Sequence, residues 1–119
     1  LQLKMKIDLA PYPKPRMTQS DKWKKRPVVV KYWNWKSSLQ KYGINFDSGQ
    51  VDVIFFVPMP KSWTKKKCLE MDGKPHQSRP DIDNYLKALF DAVCSEDSHI
   101  HTVTARKVWS TKGMIELNI

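Results

Sequence analysis

The sequence predicts an α+β fold, a single small domain in which two main helices pack on a mixed β-sheet. Three patterns predict it. Apolar residues alternate with polar ones near the start, the middle and the end of the chain, which marks strands. Two other stretches carry their apolar residues at helical spacing. Prolines and glycines punctuate the intervals between them. The 119 residues make one domain's worth of chain, spanning 1–119, and are enough to bury one core but not two.

Each element has its own signal. Leu3, Met5, Ile7 and Leu9 alternate with Lys4, Lys6 and Asp8, the period of a half-buried strand. Pro11, Pro13 and Pro15 end that strand and hold the chain extended. Arg16 to Arg26 is polar and basic and reads as a loop. From Val29 to Tyr42, the residues Tyr32, Trp35, Leu39 and Tyr42 recur every three or four positions, and Gly43 follows as a helix stop. Trp33 falls off this stripe and suits a second surface. Val51, Val53, Phe55 and Val57 define a largely buried strand, closed by Pro58 and Pro60. Lys61 to Pro80 shows no sustained period, and a loop of that length in a small domain is usually functional or disordered. A second helix opens at Asp81 and Asp83, with Leu86, Leu89, Phe90 and Val93 as its expected inward face. Ile100 to Trp109 alternates weakly, and Met114 to Ile119 puts Ile115, Leu117 and Ile119 on one side. Ser110 to Gly113 is expected to join these two strands as a hairpin. The expected order is β-α-β-loop-α-β-β.

Lysine and arginine outnumber acids 21 to 12, for a formal charge of +9, which suits a polyanionic partner such as nucleic acid. The two cysteines, Cys68 and Cys94, lie far apart. They give neither a disulfide framework nor a zinc signature, and reduced thiols are expected. The longest apolar run, Val53 to Val57, is far short of the ~20 residues of a membrane span. Nothing at the start resembles a signal peptide. These features point to a cytoplasmic protein with no membrane partner and no small-molecule cofactor.

On this basic background Asp81 and Asp83 stand one residue apart at the mouth of a helix. One carboxylate there is an ordinary N-cap. Two, followed by Asn84, exceed what a cap needs, and close carboxylates repel unless a cation lies between them. Magnesium is held by one or two carboxylates, waters and substrate phosphate, so the pair is a candidate magnesium site. The EF-hand pattern fails, because Tyr85 and Leu86 stand where that loop needs a polar residue and glycine. Lys87 follows Asp83 by four residues and Asp91 follows Lys87 by four, so all three share a helix face. A plain surface ion-pair ladder is the modest reading. The functional one gives Lys87 a phosphate or the charge of a transition state, with Asp91 orienting Lys87. Glu96 and Asp97 are the candidates for a third acid. His99 and His101 lack zinc-ligand partners and are expected to be exposed strand residues, and His76 a loop residue.

Lysines interleave with aromatics at Lys22 to Arg26, Lys31 to Lys36 and Lys61 to Lys67. Lysines can hold phosphates while aromatics stack on bases. Trp35 belongs to the core stripe, whereas Trp23 and Trp63 are open to either role. Candidate nucleic-acid contacts are Arg16, Lys61, Trp63, Lys65, Lys66, Lys67, Arg79 and Asn84.

The run Arg79-Pro80-Asp81-Ile82-Asp83-Asn84, followed by Lys87, Ala88, Phe90, Asp91 and Ala92, resembles the active-site signature of the RusA family of small phage and bacterial Holliday junction resolvases. The resemblance runs from about Arg79 to the C-terminus and includes Glu96-Asp97, Thr111-Lys112-Gly113 and Glu116-Leu117. It implies a RusA-like α+β homodimer, bacterial or phage-encoded, that binds four-way DNA junctions and uses magnesium or manganese to nick two strands symmetrically. It also implies that Asp81, Asp83 and Asp97 hold the metal and that Lys87 is the essential lysine. Two other readings are a junction-binding module with an inactive site and a basic protein-interaction adaptor.

Overall fold

A computed structural model describes residues 4–16 and 26–118. Its elements in chain order are β1 (Lys4–Ile7), α1 (Pro27–Gln40), β2 (Gln50–Pro58), α2 (Lys65–Met71), α3 (Ile82–Val93), β3 (Thr102–Ser110) and β4 (Met114–Asn118). They form the expected α+β architecture, with one helix more than the sequence suggested. Leu3, Trp23 with its flanking lysines, and Ile119 lie outside the described residues.

The four strands form one mixed sheet in the order β1-β4-β2-β3. The central strand β2 runs parallel to β3 and antiparallel to β4. Its alternation works as read: Val51, Val53, Phe55 and Val57 are buried, while Asp52, Ile54 and Phe56 on the other face are half-buried. Ile7, Ile115 and Leu117 extend the buried face across the sheet. The parallel pair requires a crossover connection, and α2 and α3 lie within it.

Helix α1 begins earlier than expected because Pro27 occupies its first turn, where a missing N–H costs nothing. Its buried stripe is Val29, Tyr32, Trp35 and Leu39. Tyr42 falls beyond the helix end and is exposed. Helix α3 is turned relative to the expected face. Tyr85, Ala88, Leu89 and Ala92 are buried, and Leu86, Phe90 and Val93 only partly so. The two alanines allow close approach, and Tyr85 settles on Phe55 with ring centroids 5.3 Å apart. Helix α2 was hidden in the supposed loop because none of its residues is buried, so no apolar period marks it. It starts at a real N-cap, Thr64, whose hydroxyl accepts from the Lys67 amide at 3.2 Å.

The expected hairpin is corrected. Residues Ser110 to Gly113 do turn, but β3 and β4 are not neighbours, because β2 lies between them. The turn therefore passes over the end of β2, and the Met59 amide donates to the Ser110 carbonyl there. Gly113 makes the passage possible. A Cβ on it would meet Ala10 Cβ at 2.4 Å and Ala10 Cα at 2.9 Å, and a backbone cannot yield as a side chain can. Gly113→Ala is expected to destabilise the fold by about 1–3 kcal/mol, the usual cost of overpacking, measured as a lower urea midpoint at unchanged slope.

Candidate active site

Asp81 is the N-cap residue of α3 by its backbone (φ −68°, ψ 151°), yet its side chain accepts no capping hydrogen bond. The contrast with Thr64 is informative. Both stand at the same position of a helix, but only Thr64 spends its oxygen on the cap. Asp83 lies in the first turn of α3, where the helix dipole favours a carboxylate. Both aspartates are exposed, and Ile82 between them packs against the core. Asp83 meets the Lys87 ammonium at 3.6 Å, one turn along.

The proline-rich segment after β1 is laid beside this turn. The Trp35 indole N–H donates to the Ala10 carbonyl at 2.8 Å, and the Lys14 amide to the Asn84 carbonyl at 3.3 Å. Lys14, Pro15, Arg16, Asn84 and Lys87 thus line one cleft. Of the residues singled out in the sequence, the structure brings together Asp83, Lys87, Asn84 and Arg16. Lys14 joins them without having been anticipated.

Asp91 does not orient Lys87. Its carboxylate accepts from the Tyr32 hydroxyl at 2.6 Å and meets Lys36 at 3.0 Å and Lys14 at 3.9 Å. Burial alone would raise its pKa, but the hydrogen bonds from Tyr32 and Lys36 and the charges of Lys36 and Lys14 outweigh it and hold the carboxyl below its usual range. Tyr32 is fully buried and its phenol is pushed upward, by burial first and then by Asp91. The ion-pair ladder read from the sequence therefore has one rung, Asp83–Lys87, and Asp91 instead ties α3 to α1.

Asp97 lies beyond the C-terminal end of α3, which closes at Val93. With Glu96 it lines a cleft that also includes Lys87, Asp91 and Cys94. Burial, then the charge of Asp97, raises the Cys94 pKa. Both cysteines are free. Asp97 does not close with Asp81 and Asp83 into one cluster: among the described residues, no group of three His, Cys, Asp or Glu side chains is placed to hold an ion.

A family model described as Endodeoxyribonuclease RusA matches residues 8–119. The chain belongs to the RusA endodeoxyribonuclease family. Neither a curated protein nor a solved structure gives a match. RusA membership makes the chain a relative of Holliday junction-resolving endonucleases, which bind branched DNA and generally depend on divalent metal. Among the described residues, no helix is long and apolar enough to cross a membrane.

The candidate DNA contacts differ in their surroundings. Lys61, Lys65, Lys66, Lys67 and Arg79 are exposed. The Trp63 ring is engaged within the chain, 4.7 Å from Trp109 and with the Lys67 ammonium 4.5 Å from its centroid, so a base would have to displace one of them.

His76 is a loop residue, as expected, but it is buried, 4% exposed, against Trp109 at 4.3 Å, and among the described residues its Nδ1 has no hydrogen-bond partner. Lys107, on β3, escaped the sequence reading and donates from its ammonium to the carbonyls of Ser78 (2.6 Å) and Pro80 (2.7 Å). A signal for Lys107 was present. In the phase Val103, Ala105, Lys107, Trp109 it puts a charge where the strand otherwise carries apolar residues. His76 had no such signal, because its burial comes from a loop folding onto the β3 edge.

Two outcomes follow from these environments. Asp91→Ala leaves the buried Tyr32 hydroxyl without its acceptor and is expected to cost about 1–3 kcal/mol, read from urea denaturation at pH 7. Burial, reinforced by the Lys107 charge, lowers the His76 pKa below 6.5. The unfolded chain then takes the proton first, so the contribution of the neutral ring is complete above about pH 6.5 and is lost as pH falls toward the folded-state pKa. The urea midpoint is expected to drop from pH 7 to 5.5, with a shallower drop in His76→Leu.

Proposed function

We propose that this RusA-family chain is a magnesium-dependent endodeoxyribonuclease that resolves four-way DNA junctions by paired symmetric nicks, as a homodimer. The observation that carries this reading is the Asp81 carboxylate, which sits at a helix N-cap without capping it and stands beside the exposed Asp83. Carboxylates are the hard oxygen donors that magnesium and manganese prefer, so the pair fits the metal that the family implies. Asp97 is proposed as the third acid, contributed from the cleft it shares with Lys87.

A bound divalent cation would supply an acidified water and neutralise charge on the scissile phosphate. The chain's own groups do the rest. Lys87, one turn from Asp83, faces the phosphate and offsets the charge that grows on its oxygens. Lys14, Arg16 and Asn84 flank the same cleft and position the strand. Lys61, Lys65, Lys66, Lys67 and Arg79 hold phosphates farther along the arms. In a homodimer the twofold axis would match the symmetry of the junction and place two sites on opposed strands.

A second reading keeps DNA binding without cleavage, and it is favoured by the finding that, among the described residues, no three acidic side chains are grouped to hold an ion. Purified protein, a synthetic four-way junction and magnesium decide between them. Paired nicks are expected, abolished by Asp83→Asn while junction binding persists. Binding without nicks in magnesium or manganese would establish the inactive module. Lys87→Ala is expected to reduce cleavage far more than binding, whereas alanine at Lys61, Lys65, Lys66 or Lys67 weakens binding to any DNA. The salt dependence of log affinity should be shallower by about 0.9 for each phosphate that a variant no longer neutralises. A salt-insensitive interaction would instead support a protein-interaction adaptor.

A further inference from the structure

The segment that carries the aspartate pair is fastened to the outer strand of the sheet. The Gly73 amide donates to the Trp109 carbonyl, the Trp109 amide to Lys74 and the His76 amide to the Lys107 carbonyl. Pro75 bridges Val108 in the same run. Beyond His76 this lacing stops. Among the described residues, Gln77 to Pro80 makes no backbone–backbone hydrogen bond until the Asn84 amide reaches Asp81 at the start of α3. The gap is closed by one side chain, Lys107, whose ammonium takes the carbonyls of Ser78 and Pro80.

Register explains how it reaches them. Lys107 pairs with Phe55 across β2–β3, so both side chains leave the same face of the sheet. Phe55 carries Tyr85 of α3, and Lys107 therefore points toward the first turn of that helix. The Pro80 carbonyl belongs to the peptide group whose N–H is that of Asp81. Fixing this oxygen fixes the plane from which the Asp81 side chain departs.

The geometry points to Lys107 as a positioning residue for the Asp81–Asp83 carboxylate pair. It acts through the Ser78 and Pro80 carbonyls and makes no contact with DNA. The inference rests on the reading that this pair holds the divalent cation. An ammonium has three donors, and Lys107 commits two of them to the backbone, which makes it a clamp. Removing it frees the Gln77 to Pro80 segment and loosens the placement of the two carboxylates that would hold a cation. Outer partners that orient metal ligands are commonly worth 10–100-fold in affinity or activity.

The test uses the full chain and Mn²⁺ alone, followed by calorimetry. Wild type is expected to bind Mn²⁺ in a manner abolished by Asp83→Asn. Lys107→Met should weaken Mn²⁺ binding about 10-fold or more and speed hydrogen exchange at the amides of Ser78 to Asn84. It should also raise the Mn²⁺ concentration for half-maximal junction cleavage. Junction affinity in EDTA should stay within about twofold of wild type, because phosphate contacts set that affinity. Lys107→Arg keeps a charged donor and should recover most of the Mn²⁺ affinity. Should Lys107→Met fail to fold, Lys107→Gln is measured in the same way, with the same expectations. Unchanged or tighter Mn²⁺ binding in the variant overturns the clamp while leaving the metal site standing, since tighter binding would mean that Lys107 acts only as a competing charge. Loss of junction affinity in EDTA overturns it in favour of direct DNA contact. Wild type that ignores Mn²⁺, or binds it equally well as Asp83→Asn, removes the metal reading itself and the clamp with it.

Discussion

The parallel pairing of β2 with β3 is the constraint from which the rest of this structure follows. Parallel neighbours cannot be joined by a tight turn, so the chain leaves the end of β2, crosses the sheet and returns to the start of β3. Helix α3 makes the return. Tyr85, Ala88, Leu89 and Ala92 seat it on the buried sheet face, and its N-terminus comes to lie over the later residues of β3, where Lys107 meets Ser78 and Pro80. The aspartates inherit that location. They stand at the carboxyl ends of the parallel strands, the side on which open α/β sheets also place their ligands.

Around that point the charges are sorted in a way the composition alone would not suggest. The chain is strongly basic, yet two of the lysines nearest α3 are partnered by an acid. Lys14 and Lys36 converge on Asp91, which the buried Tyr32 hydroxyl also engages. This knot joins the proline-rich segment, α1 and α3, and so shapes one wall of the cleft. Asp83 and Lys87 remain on the open side, exposed and able to exchange their mutual contact for other partners. A mutually satisfied pair at the surface is worth little, so little is lost when a substrate phosphate or a cation intervenes.

The sequence made the strands, both long helices and the aspartate pair legible, because each has a local signature: alternation in β2, the Tyr32-Trp35-Leu39 stripe in α1, and two acids after Pro80. What it hid depends on distant residues. Helix α2 buries nothing, so it has no apolar period to find. The rotation of α3 was set by alanines at 88 and 92, which read as neutral until a close neighbour needs their small size. The turn at Ser110 to Gly113 was legible, but not that β2 would lie between the strands it joins. Asp91 looked like part of a helix-surface ladder and was claimed instead by Tyr32, which lies 59 positions earlier in the chain.

Anomalous diffraction from crystals of the protein grown with a four-way junction and abundant Mn²⁺ tests the central claim most directly. The expected result is a manganese peak bridged by the Asp81 and Asp83 carboxylates and facing a DNA phosphate. No peak there, or manganese bound only at His99 and His101, would contradict it.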